Sequence, residues 1–101
     1  MKTKMFSVFD VKATAYGTPF FMPTIGMAIR AFTDVAADPQ TQINKHPEDY
    51  VLHELGEFDD CDGSVAMNIP PKSFGAASNY AVVKPELSLN GVEILNAKGG
   101  N

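Results

Sequence analysis

Apolar and polar positions alternate from residue 5 to 11, with Met5, Phe9 and Val11 on one face and Phe6 and Val8 on the other. That period of two predicts a strand. Tyr16-Gly17-Thr18-Pro19 reads as a turn, followed by a short apolar strand, Phe20-Phe21-Met22, before Pro23. The period then changes. Thr24 is a good helix N-cap, and Ile25, Ile29, Phe32 and Ala36 fall on one face of a helix over 24–37, which Asp38-Pro39 stops. A polar connection over 39–49 returns the chain to a strand over Tyr50–Phe58, with Gly56 as a candidate bulge. Asp62-Gly63 is a strong turn signal, and Val65, Met67 and Ile69 alternate beyond it as the antiparallel partner, ended by Pro70-Pro71.

The order strand, strand, helix, strand, strand predicts an α+β fold, one helix on a small antiparallel sheet, forming a compact domain over 1–71. Residues 72–101 are rich in Gly, Ser, Asn and Ala and read as a semi-ordered C-terminal arm. Within it, Leu87 and Leu89 before Asn90-Gly91, with Val92 and Ile94 after, have the pattern of a two-residue hairpin. A lone hairpin is marginal in water. The arm therefore needs a surface to pair with, the expected one being a sheet edge of a second copy, so a homo-oligomer is expected.

A chain of 101 residues with 45% hydrophobic content supports one modest core and is too short for two. No apolar run approaches the roughly 20 residues that span a bilayer, and no signal-peptide core follows Met1-Lys2-Thr3-Lys4. A soluble protein without a membrane partner is expected. Cys61 is the single cysteine, so the chain has no internal disulfide and no cysteine-based zinc site; a reducing cytoplasm fits.

Charge is unevenly placed. Residues 1–46 hold five Lys or Arg against three Asp, whereas 47–101 hold three Lys against nine carboxylates, for a net −4. Seven of those carboxylates, Glu48, Asp49, Glu54, Glu57, Asp59, Asp60 and Asp62, follow one another with no Lys or Arg among them. Phosphate neutralisation dominates nucleic-acid affinity, and a chain of pI near 4.9 with one Arg lacks that footprint.

Five ordered blocks together resemble one family: a strand ending in Phe9-Asp10, Pro19-Phe20-Phe21, Ala28-Ile29-Arg30-Ala31-Phe32, His46-Pro47-Glu48-Asp49-Tyr50, and Gly56-Glu57-Phe58-Asp59-Asp60. The chain resembles the small nonstructural protein of gokushoviruses, tailless phages of the Microviridae with circular single-stranded DNA genomes. The resemblance covers about Met5 to Gly63 and is weak beyond Ser64. It implies a DNA-binding or replication-and-packaging accessory in the host bacterial cytoplasm.

The acidic stretch invites a calcium reading that its spacing does not support. With Gly63 as the turn glycine of an EF-hand loop, Phe58 and Ile69 would stand where ligands are required. His46 and His53 with Glu57 or Cys61 match no zinc signature. No metal or cofactor is expected. No Ser or Cys stands in an elbow or oxyanion motif, and no phosphate-cradling loop occurs, so the chain reads as non-enzymatic.

Three functions follow. The first is an accessory of phage replication or packaging that binds a basic partner protein through Glu48, Asp49, Glu54, Glu57, Asp59, Asp60 and Asp62. The second is direct single-stranded DNA binding by Lys2, Lys4, Lys12, Tyr16 and Arg30. The third is an assembly protein whose C-terminal arm joins subunits.

Overall fold

The computed structural model describes residues 1–80; the hairpin expected over 85–96 lies outside them. The strands are β1 (Lys2–Asp10), β2 (Ala15–Tyr16), β3 (Phe20–Met22), β4 (Tyr50–Asp59) and β5 (Ser64–Ala76). Helices α1 (Ile25–Ala37) and α2 (Gln42–Lys45) and a 3-10 turn (Pro47–Asp49) lie between β3 and β4, and a second 3-10 turn (Ala77–Asn79) follows β5. The expected α+β architecture is present. All pairings are antiparallel, in the order β2-β1-β4-β5, with β3 sharing the β2 edge of β1.

Helix α1 starts where Thr24 accepts a hydrogen bond from the Met27 amide at 3.2 Å, satisfying one of the first-turn donors. At its far end, Asn44 donates to the Ala36 carbonyl at 2.7 Å and the Thr41 hydroxyl to the Val35 carbonyl at 2.9 Å. These bonds tie α2 to α1. The 39–49 segment, expected as a plain connection, thus holds a short helix capped by Thr41 and a 3-10 turn started by Pro47.

The core forms where α1 lies on one face of the sheet. Phe6, Ala28, Phe32, Ala36, Leu52 and Ala77 are buried, with Val8, Phe20, Ile25, Ile29, Phe74 and Tyr80 packed around them. Phe6 stacks on Phe20 at 5.8 Å between centroids, and Phe32 meets Tyr80 edge-on at 6.2 Å. Ile25 and Ile29 flank the buried line of the helix while Ala28 sits on it, a small rotation of the expected face.

Strand β5 corrects one expectation. It runs through Pro70-Pro71 to Ala76, so Phe74, Ala77 and Tyr80, which composition alone assigns to a semi-ordered arm, belong to the packed fold. Proline is tolerated there because β5 is the edge strand among the described residues, where a missing N–H breaks no described ladder on its outer side. Between the pairs Glu54↔Lys72 and Gly56↔Met67, residues 68–71 stand opposite Leu55 alone, an irregularity that absorbs both prolines. Leu55 is also the extra residue against β1, where Phe6 pairs with Glu54 and Met5 with Gly56. A bulge next to Gly56 is as expected.

Candidate interaction face

The helix covers one face of the sheet and leaves the other open. Strand alternation sorts side chains sharply between the two. Phe6, Val8, Leu52 and Glu54 share the helix side, together with Lys2, Lys4, Asp10, Glu57, Asp59 and Lys72 by register. The opposite face receives Thr3, Met5, Ser7 and Phe9 of β1, Tyr16, Phe21, Val51, His53 and Phe58, and Val65, Met67 and Ser73 of β5. Among these paired residues, every Asp, Glu, Lys and Arg of the sheet lies on the helix side.

Two ring clusters mark the open face. In the first, Phe9 and His53 are stacked at 5.7 Å with planes 5° apart, and Tyr16 tilts against both at 4.8 and 5.4 Å. The Tyr16 hydroxyl and His53 Nδ1 share a hydrogen bond of 2.8 Å. Partial burial among these rings lowers the His53 pKa, because the charged imidazolium loses hydration. In the tautomer whose Nδ1 carries no proton, neutral His53 accepts this bond from the Tyr16 hydroxyl. In the second cluster, Phe21 and Phe58 meet edge-on at 6.0 Å, and Val65 and Met67 extend it across β5. Phe21, Val65 and Met67 are each about half exposed. Ser7 lies between the clusters, buried, with its hydroxyl donating to the Gly17 carbonyl at 2.7 Å.

The residues expected to bind nucleic acid are dispersed. Lys4 faces the helix side and pairs with Glu57 at 3.7 Å. Lys2 shares that side opposite Asp59, Lys12 lies in the β1–β2 turn, and Arg30 is exposed on α1, behind the sheet. Only Tyr16 stands on the open face. No ion pair joins Arg30 to Asp34 among the described residues.

The acidic residues are dispersed too. Glu48 and Asp49 lie in the 3-10 turn before β4, while Asp59, Asp60 and Asp62 lie at the far end of that ten-residue strand, about 30 Å away at strand rise. Glu54 is buried, its carboxylate accepting from Asn68 at 2.8 Å. At the turn, Asp59 accepts from the Cys61 amide at 3.0 Å and Asp62 from the Ser64 amide at 2.9 Å. These backbone donors hold both carboxyls below the usual range. Asp60 pairs with the terminal ammonium of Met1. Asp59, Asp60 and Cys61 bring one ligand atom each within 4.8 Å of one another, but the Asp59 oxygen already serves the chain's own turn.

Two recesses meet at Val8 and Ile43, the first against α1 and the second beside β2. One, of about 250 Å³, is lined by Val8, Phe20, Met22, Phe32, Val35 and Ile43 with no titratable side chain. The other, of about 320 Å³, holds Asp10 and Tyr50, and burial first, then Asp10, raises the Tyr50 pKa. A tyrosine pushed that way is a poorer nucleophile or base at neutral pH.

Residues 3–80 match the model of the Phage ORF5 protein family. The chain belongs to that family. The match takes in α1 and all five described strands but for Lys2 at the start of β1, so both faces of the described sheet belong to the family unit. No curated protein and no solved structure matches the chain. No helix among the described residues is long and apolar enough to cross a membrane.

Proposed function

We propose that this phage accessory protein is non-enzymatic, serves replication or packaging of a single-stranded DNA genome of the gokushovirus kind, and acts by binding another phage protein through the open face of its sheet. The observation that carries this reading is the sorting of charge, with rings and methionine on the open face and every sheet carboxylate and lysine on the other. Protein-binding surfaces are depleted of charge at their centre and enriched in Tyr, Phe and Met. Nucleic-acid surfaces need cations at the phosphates, and the lysines of β1 point the other way. Docking of a basic partner through the acidic residues loses its single surface, because those residues occupy two ends of β4 and its interior.

Direct single-stranded DNA binding is the second reading, favoured by the Phe9–Tyr16–His53 cluster, a sequence-tolerant stacking site of the kind that bases use. Fluorescence anisotropy with an unstructured oligonucleotide across salt concentrations separates the two. Protein docking predicts no saturable binding at physiological salt. Tight binding that Tyr16→Ala abolishes would transfer the function to DNA.

A further inference from the structure

β5 ends the sheet, and among the described residues nothing pairs with its outer side. Edge strands are ordinarily guarded by lysine, proline, bulges or brevity, because bare N–H and C=O groups are a template for another strand. Here the guards begin late. Pro70, Pro71 and the irregularity over 68–71 protect the middle of the strand, but Ser64-Val65-Ala66-Met67-Asn68-Ile69 carries neither charge nor proline. Ser64 to Met67 are all exposed, and Ile69 is 91% exposed.

We infer that the Ser64–Ile69 edge pairs with the same edge of a second copy, antiparallel about a two-fold axis near Ala66 and Met67, joining two sheets into one. Self-complementarity selects this occupant. An isologous antiparallel contact sets the residue on the axis against its own equivalent and its neighbours close by, which an uncharged segment tolerates and a segment charged at the axis does not. The flanks agree in sign. Antiparallel pairing centred on Met67 sets Val65 opposite Ile69 and brings Lys72 of each copy to Asp62 of the other's acidic Asp59–Asp62 turn, an attraction that the reversed, parallel alignment lacks. It also makes the two Phe21, Phe58, Val65 and Met67 patches continuous on one side of the joined sheet, so apolar surface lies together across the axis. Beyond Ile69 the prolines cannot donate, which limits the pairing to this window.

This deepens the proposed function by giving the distal half of the open face to a second copy, and the two are separable by experiment. The full chain should sediment with the mass of two chains, and Met67→Lys and, separately, Val65→Lys should shift it to one while circular dichroism and melting stay those of a folded protein. Tyr16→Lys should leave the mass unchanged. In the unaltered protein, amides of Ser64–Asn68 should gain hydrogen-exchange protection as concentration rises. A one-chain mass at the highest soluble concentration would overturn the inference, as would a dimer that both lysine variants leave intact but Leu89→Lys dissociates, since the contact would then belong to the C-terminal segment.

Discussion

Asn68 holds Glu54 twice, its side-chain amide donating to the Glu54 carboxylate at 2.8 Å and to the Glu54 backbone carbonyl at 3.1 Å. The pair spans the place where β5 leaves its ladder with β4, and the second carboxylate oxygen of Glu54 has no partner. Glu54 is 4% exposed, so the amide is what offsets the burial of that group. Asn68→Ala should destabilise the fold by about 1–3 kcal/mol, the cost of a buried polar group losing its partner. An unchanged urea midpoint for the variant would show that the Glu54 carboxylate is satisfied some other way.

Phe32 fills the space between α1 and the sheet and meets Tyr80 edge-on. Its truncation removes a buried ring and leaves a cavity that the small neighbours Ala28 and Ala36 cannot close. Phe32→Ala should cost about 3–5 kcal/mol, a large share of a small domain's stability. Chemical denaturation measures it, and a parent-like melting curve would contradict this packing.

Gly56 is a position of close approach. A Cβ added there would come within 2.3 Å of the Ala66 carbonyl oxygen on β5. Backbone cannot swing aside as a flexible side chain can, so Gly56→Ala should separate the β4–β5 ladder locally and cost about 1–3 kcal/mol, the range of overpacked sites. Hydrogen exchange at the amides of 65–67 should rise in this variant more than at β1. Equal exchange in both strands would show that the clash is absorbed elsewhere.

His53 predicts a dependence on pH. Its folded pKa is lowered by burial among Phe9 and Tyr16, so as pH falls the unfolded chain takes up the proton first. Stability should be full above about pH 6.5, the ordinary histidine value, and fall as pH drops from there towards the folded pKa. Asp59 and Asp62, whose folded pKa values are lowered, lose their contribution only below about pH 4. The two windows are therefore distinct. Comparing denaturation midpoints at about pH 7.5 and about pH 5.5 for the parent and His53→Asn isolates the first, and an equal drop in both proteins would contradict it.

The sequence was most legible where local chemistry decides the structure. Thr24, the spacing of Ile25, Ile29 and Phe32, and the Asp62-Gly63 turn each specify an element through neighbouring residues. Phe6 lies in the core and Phe9 outside it because strand parity separates them, and the same parity turns Lys2 and Lys4 away from Phe9. The continuation of β5 through Pro70-Pro71 was not legible. Proline normally ends a strand, and the exception depends on β5 being an edge and on the 68–71 irregularity, both tertiary facts. The Tyr16–His53 contact joins residues 37 positions apart. Its one sequence signal was a histidine of open-face parity on an otherwise acidic strand.

The open face is the proposed docking surface. Its most direct measurement is affinity capture from phage-infected cells with the full chain, its Tyr16→Lys variant and a variant neutralised at Asp59, Asp60 and Asp62, followed by identification of retained phage proteins. The prediction is that one phage replication or packaging protein is retained by the unaltered chain and by the neutralised-turn variant, in nuclease-treated lysate, and is lost from the Tyr16→Lys variant. Retention by Tyr16→Lys and loss from the neutralised turn would contradict the account and return the partner to the acidic surface.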